Sequence, residues 1–115
     1  MTSKQRKEKG KEAELLVADY LVNLGYTIIQ QNYTIRGGEI DIIAEKNNIR
    51  TFVEVKAVDH TTDLLDYITP HKQAALLRTI IRFNYEHPSH KEISLDLVFV
   101  KQNTIIHHYP NITNN

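Results

Sequence analysis

Apolar residues recur at helical spacing over residues 10–24, and the pattern then gives way to short alternating runs. Gly25 supplies the stop for this first helix. Residues 26–32 read as a strand, and residues 34–38 as a turn marked by Gly37-Gly38. Residues 40–45 and 49–58 read as two more strands. Residues 59–67 are polar, with one short helical turn expected at Leu64-Leu65. Thr69-Pro70 pairs a capping hydroxyl with proline at the first helical position, so a second helix starts there. It runs to about Tyr85, and His87-Pro88 ends it. Residues 93–100 and 104–109 form a late hairpin. The order α-β-β-β-α-β-β predicts an α/β domain with a mixed sheet flanked by helices. Residues 1–9 read as a flexible basic N-terminus, residues 10–109 as one domain and residues 110–115 as a loose tail.

The middle strand pair carries the most chemistry. Asn47-Asn48 separates its two runs and suits a two-residue hairpin turn, because asparagine tolerates the positive φ that such turns need. That turn sets Asp41 opposite Glu54 and Glu39 opposite Lys56. Alternation places Glu54 with Lys56, and Glu39 with Asp41. Two carboxylates facing each other across a ladder destabilise it, and a bound divalent cation reverses the sign. On the first helix, a spacing of about 100° per residue sets Glu14 among Ala13, Val17, Ala18, Tyr20, Leu21, Val22 and Leu24. A carboxylate in such a stripe needs pairing, protonation or a metal. An internal salt bridge is the structural alternative for Glu14, as an ion pair is for Lys56.

Composition narrows the classes. The 115 residues make one domain, with ordinary apolar and charged content. There is no cysteine, so thiolate metal sites and disulfides are excluded. No apolar run reaches membrane-spanning length and no signal-peptide core is present, so a cytoplasmic protein with no membrane partner is expected. Formal net charge is zero, which lends nucleic-acid binding no support overall. The distribution is uneven, however: Lys4, Arg6, Lys7, Lys9 and Lys11 crowd the N-terminus, and Lys72, Arg78 and Arg82 lie in the second helix.

Oxygen ligands on Asp41 and Glu54 suit Mg²⁺ or Mn²⁺ and disfavour Zn²⁺. The carbonyl of Val55 is a further candidate ligand. A cation there polarises a phosphodiester and acidifies water, and Lys56 stabilises the charge that grows on the phosphoryl oxygens. Glu39 either positions water or neutralises Lys56. Glu39 and Arg36 are candidate nucleic-acid contacts. The six histidines show no spacing that gathers ligands, although His71 stands near the second helix start. No serine has a nucleophile turn around it, and the glycines form neither a P-loop nor a dinucleotide fingerprint.

Gly10-x3-Glu14-x3-Ala18, Gly25-Tyr26, Asn32-Tyr33, Gly38-Glu39-Ile40-Asp41-Ile42-Ile43-Ala44 and Phe52-Val53-Glu54-Val55-Lys56 together resemble the YraN-type (UPF0102) family of small bacterial proteins. The resemblance covers roughly residues 10–100. It implies a place in the PD-(D/E)xK nuclease-like superfamily, with Holliday-junction resolvases and restriction endonucleases as relatives. It further implies a restriction-endonuclease-like αβββαβ core with an extra C-terminal strand. By the same resemblance Glu14, Asp41 and Glu54 are acidic metal-site residues, Lys56 is the catalytic lysine, Lys72 faces phosphate, and Asp96 occupies a late-strand acidic position. Homodimerisation follows by analogy with the resolvases. Ala57-Val58, Thr34 and Ser94 stand where the family carries residues able to contact phosphate. The expected function is metal-dependent hydrolysis of DNA phosphodiesters, including branched or damaged DNA. The alternatives are a non-catalytic nucleic-acid or repair-partner module with the same fold, and a structural protein with a buried ion network.

Overall fold

The computed structural model describes residues 1–59 and 64–113. Its elements are α1 (Ser3–Asn23), β1 (Thr27–Ile35), β2 (Gly38–Lys46), β3 (Ile49–Ala57), α2 (Leu64–Tyr67), α3 (Pro70–Glu86), β4 (Glu92–Lys101) and β5 (Thr104–Tyr109). The five strands form one sheet in sequence order. β1, β2 and β3 are antiparallel, β3 and β4 parallel, and β4 and β5 antiparallel. The parallel step needs a crossover, which the α2–α3 segment provides. This is the mixed α/β architecture expected, with the extra C-terminal strand. Part of the expected polar loop, residues 60–63, lies outside the described residues.

The hairpin between β2 and β3 follows from its turn. Asn47 and Asn48 have φ of 50° and 64°, so both central residues are left-handed. The register then runs Lys46↔Ile49 through Ile42↔Val53, as the turn requires. The paired ladder stops there. Asp41 turns its Oδ2 onto the Val55 amide at 2.8 Å, so a side chain takes the donor next to where the ladder ends. Glu39 pairs across β1 with Thr34 instead of standing opposite Lys56.

Each sheet face has its own core. Ala13, Val17, Ala18 and Leu21 of α1 pack on Ile42, Ala44, Val53 and Val98. Leu76, Ile80 and Phe83 of α3 pack on Ile40, Ile43, Phe52 and Leu95. Ile40 and Ile42 therefore serve opposite faces although two residues apart, so strict alternation breaks at Asp41. Asn32, which lies between the β1 partners of Ile40 and Ile42, has φ of 55° and marks the same irregularity. Gly38 brings α3 down onto β2: a Cβ there would meet Thr79 Oγ1 at 2.1 Å and the Ala75 carbonyl at 2.8 Å.

Three expectations are corrected. The helix begins at Ser3, not Gly10, because Thr2 and Gln5 form a reciprocal capping box. Val22 and Leu24 are exposed, so the α1 stripe is narrower than its apolar letters suggest, and Glu14 sits half-buried beside it. The tail is docked through residue 112: the Asn111 amide donates to Asp96 Oδ1 at 3.0 Å and the Ile112 amide to the Leu95 carbonyl at 2.8 Å.

Candidate functional site

Asp41 and Glu54 come together at the point where β2 and β3 part. Glu54 is buried, and its carboxyl stands close enough to Asp41 to raise the Asp41 pKa both as a hydrogen-bond partner and as a charge. A hydrogen bond between two carboxyl groups needs one of them protonated. Burial first, then the bond to Glu54 and the Glu54 charge, push Asp41 far above the usual carboxylate range, to about 9. The amide of Val55 works in the opposite direction. Val55 thus enters the cluster through its N–H.

Glu14 approaches from α1. Its Oε1 accepts from Asn32 Nδ2 at 3.1 Å. Burial raises its pKa, with smaller contributions from the charges of Glu39 and Glu54, while Lys11 lowers it. Glu14 therefore lies within the field of the pair without joining it. Among the described residues, no three His, Cys, Asp or Glu side chains gather closely enough to hold a metal ion by themselves. Oxygen-only donors and a strained carboxyl pair nonetheless fit Mg²⁺, which is held by one or two carboxylates plus substrate phosphates and waters, not by an all-protein cage.

Two lysines frame the pair. Lys72 of α3 places its Nζ 2.6 Å from Glu54 Oε2, an ion pair in place of an outward-facing phosphate contact. The exposed Lys56 lies over the Tyr67 ring, Nζ 5.5 Å from its centroid, and Lys72 lies 5.6 Å from the same centroid. Tyr67 also donates its hydroxyl to Glu54 Oε2 at 3.3 Å. Burial, then the Glu54 charge, pushes the Tyr67 phenol above its ordinary range. Glu39 is exposed and accepts from Thr34 Oγ1 at 3.5 Å. Arg36 is exposed on the β1–β2 turn, next to the Gly37 carbonyl that Arg78 holds at 3.2 Å. Sequence reasoning missed Tyr67 and Asn32. Tyr67 had no flanking signal, whereas Asn32 did belong to a noted Asn-Tyr pair.

A separate cluster explains Asp96. It is 2% exposed and accepts from Ser94 Oγ at 2.6 Å and from the Asn111 amide at 3.0 Å. His108 Nε2 stands 2.8 Å from Asp96 Oδ2, and its Nδ1 2.8 Å from the Tyr20 hydroxyl. His108 thus joins α1 to the late hairpin.

The fold and cluster define a small mixed α/β protein with a frustrated carboxyl pair on its central strands, flanked by one lysine of β3 and one of α3. The chain belongs to the uncharacterised protein family UPF0102, whose model matches residues 13–100. It is 38% identical to a UPF0102 protein of Leifsonia xyli over 94% of this chain and 98% of that one. A UPF0102 protein of Rhodopseudomonas palustris is 34% identical, covering 88% of this chain and 79% of the relative. Among the described residues, no helix is long and apolar enough to cross a membrane.

Proposed function

We propose that the chain is a metal-dependent, nuclease-like hydrolase of DNA phosphodiesters, built on the fold of the PD-(D/E)xK superfamily and related to junction resolvases. The observation that carries this reading is the Asp41–Glu54 pair: a half-buried and a buried carboxyl stand side by side, which holds Asp41 protonated well above the usual carboxylate range unless a cation is supplied. Asp41 and Glu54 would hold Mg²⁺ or Mn²⁺, with the Val55 carbonyl as a further oxygen and Glu14 reaching the ion only through water. The metal, when bound, supplies Lewis-acid polarisation of phosphate and acidifies water. The chain's own part is to orient. The Val55 amide fixes one Asp41 oxygen, and the Tyr67 hydroxyl and Lys72 fix Glu54. Lys56 shares the Glu54 side of β3 and brings an ammonium to the charge that develops on the phosphoryl oxygens.

The test is incubation of linear, nicked and branched DNA with Mn²⁺, comparing wild type with Lys56→Ala and Asp41→Asn. Cleavage by the wild type alone supports the reading; cleavage surviving both substitutions rejects it. A second reading rests on the Lys72–Glu54 ion pair, in which an ammonium stands where a cation would neutralise Glu54. It gives a module that grips nucleic acid without cutting. Binding without cleavage, and with no thermal shift in Mn²⁺, would favour it.

A further inference from the structure

The first turns of α1 pass beside the end of β3, and between them lies a cleft of about 330 Å³ lined by Arg6, Lys9, Gly10, Val55, Lys56 and Asp59 among others. Lys9 and Asp59 hold each other at 2.8 Å. The Arg6 guanidinium makes no ion pair or hydrogen bond among the described residues, and Lys56 meets only the Tyr67 ring there. Gly10 lies inside the helix, where glycine costs stability relative to alanine. A Cβ at Gly10 would meet nothing within 4 Å, so no protein neighbour demands the glycine. The space it leaves open borders the cleft.

The charge pattern points the same way. Residues 4–12 carry Lys4, Arg6, Lys7, Lys9 and Lys11 against Glu8 and Glu12, so five minus two gives +3, although the whole chain is neutral. The remainder is therefore −3. The first turn of α1 contains no acid, so this charge opposes the helix dipole. Capping by Thr2 holds these side chains on an ordered helix, and a polyanion offsets their mutual repulsion.

We propose that this cleft is a phosphate subsite, seating one phosphate of a nucleic-acid strand over Gly10 beside Arg6, next along the strand from the phosphate that Lys56 meets. The proposal rests on the nucleic-acid half of the function proposed above, and not on cleavage. Lys56 follows Glu54 by two positions in β3, so a strand held here continues to the carboxyl pair. Arginine presents paired donors to one phosphate, and the bare Gly10 backbone permits close approach.

Fluorescence anisotropy with a labelled single-stranded oligonucleotide, in EDTA across a salt series, tests the proposal on the full chain. Wild type should bind with an affinity that falls as salt rises. Arg6→Gln should weaken binding severalfold and reduce the log–log salt slope by about 0.7, the contribution of one single-strand phosphate. Gly10→Leu fills the cleft without altering charge and should weaken binding at least as much. Gly10→Ala should raise Tm. Circular dichroism checks that each variant is folded. Absence of salt-dependent binding by the wild type overturns the proposal. So does wild-type affinity and slope in both Arg6→Gln and Gly10→Leu, even if Mn²⁺ still shifts the Tm. Weakened binding by the variants alongside no Mn²⁺ response in any protein supports the subsite while removing the metal chemistry.

Discussion

Asp41 and Asp96 flank the central strand β3 from either side, Asp96 buried and Asp41 half-buried. Asp96 has what a buried carboxylate requires: a serine hydroxyl, a backbone amide and an imidazole converge on its two oxygens. Asp41 has one amide and a second acid. The Asp96 surroundings are complete within the protein. Those of Asp41 call for a proton or a cation from outside. The contrast separates an acid that holds the fold together from one that the fold holds under strain, and stability measurements can expose that difference.

The largest effect is expected at Asp96. Asp96→Ala strands the Ser94 hydroxyl, the Asn111 amide and His108, and leaves the C-terminal residues tied to β4 through the Ile112 amide. A loss of about 3–5 kcal/mol is expected by urea unfolding, with any metal-induced shift retained. A loss below about 1 kcal/mol would mean that the network is ornamental.

Asp41→Asn should act in the opposite direction. Asparagine keeps the shape, accepts from Val55 and donates to Glu54 without needing a proton. The metal-free protein should gain about 1–3 kcal/mol at neutral pH, while the Mn²⁺ response disappears. A destabilised variant that still responds to Mn²⁺ would remove Asp41 from the site.

The same contrast has a pH signature. Asp41 is raised in the folded state, so the native chain keeps a proton that the unfolded chain releases near the ordinary carboxylate value. Its contribution to stability is complete below about pH 4 and is lost as pH rises toward about 9. Glu14, also raised, adds to the same trend at the acidic end of that window. In chelator, the wild type should therefore lose stability steadily as pH rises from about 5 to 8, and Asp41→Asn should flatten the profile. A wild-type profile that rises from pH 5 to 8 in chelator would contradict a protonated Asp41.

The legible part of this contrast is local. Asn47-Asn48 specifies a left-handed turn, the turn specifies the register, and the register brings Asp41 toward Glu54. Thr69-Pro70 marks the start of α3 in the same short-range way, with Thr69 Oγ1 accepting from the Lys72 amide at 3.1 Å. The early start of α1 was also written locally, in Thr2 and Gln5, but the surrounding polar residues hide it from apolar periodicity. The remainder is long-range. Tyr20 and His108 lie 88 positions apart, so no spacing rule links them to Asp96. The break in alternation at Asp41 depends on Asn32 adopting a positive φ across the strand pair. Lys72 shares a helix with two arginines and looks like any surface lysine until α3 docks on Gly38 and carries it to Glu54.

The smallest effect is expected at Tyr67, and it decides how the two lysines are placed. Among the described residues the phenol makes one long hydrogen bond, 3.3 Å to Glu54, and its ring lies under both ammonium groups. Tyr67→Phe removes the bond and keeps the ring, so a loss below about 1 kcal/mol is expected. Tyr67→Leu removes the ring face as well and gives up two cation–π contacts, each about 0.5–1 kcal/mol at exposed sites. If the ring is what positions Lys56, cleavage or strand binding should survive in the phenylalanine variant and fall in the leucine variant. The Mn²⁺-induced thermal shift should persist in both, because Asp41 and Glu54 remain. Equal losses in the two variants would assign the role to the hydroxyl, and would place Tyr67 with the carboxyl pair instead of with the lysines.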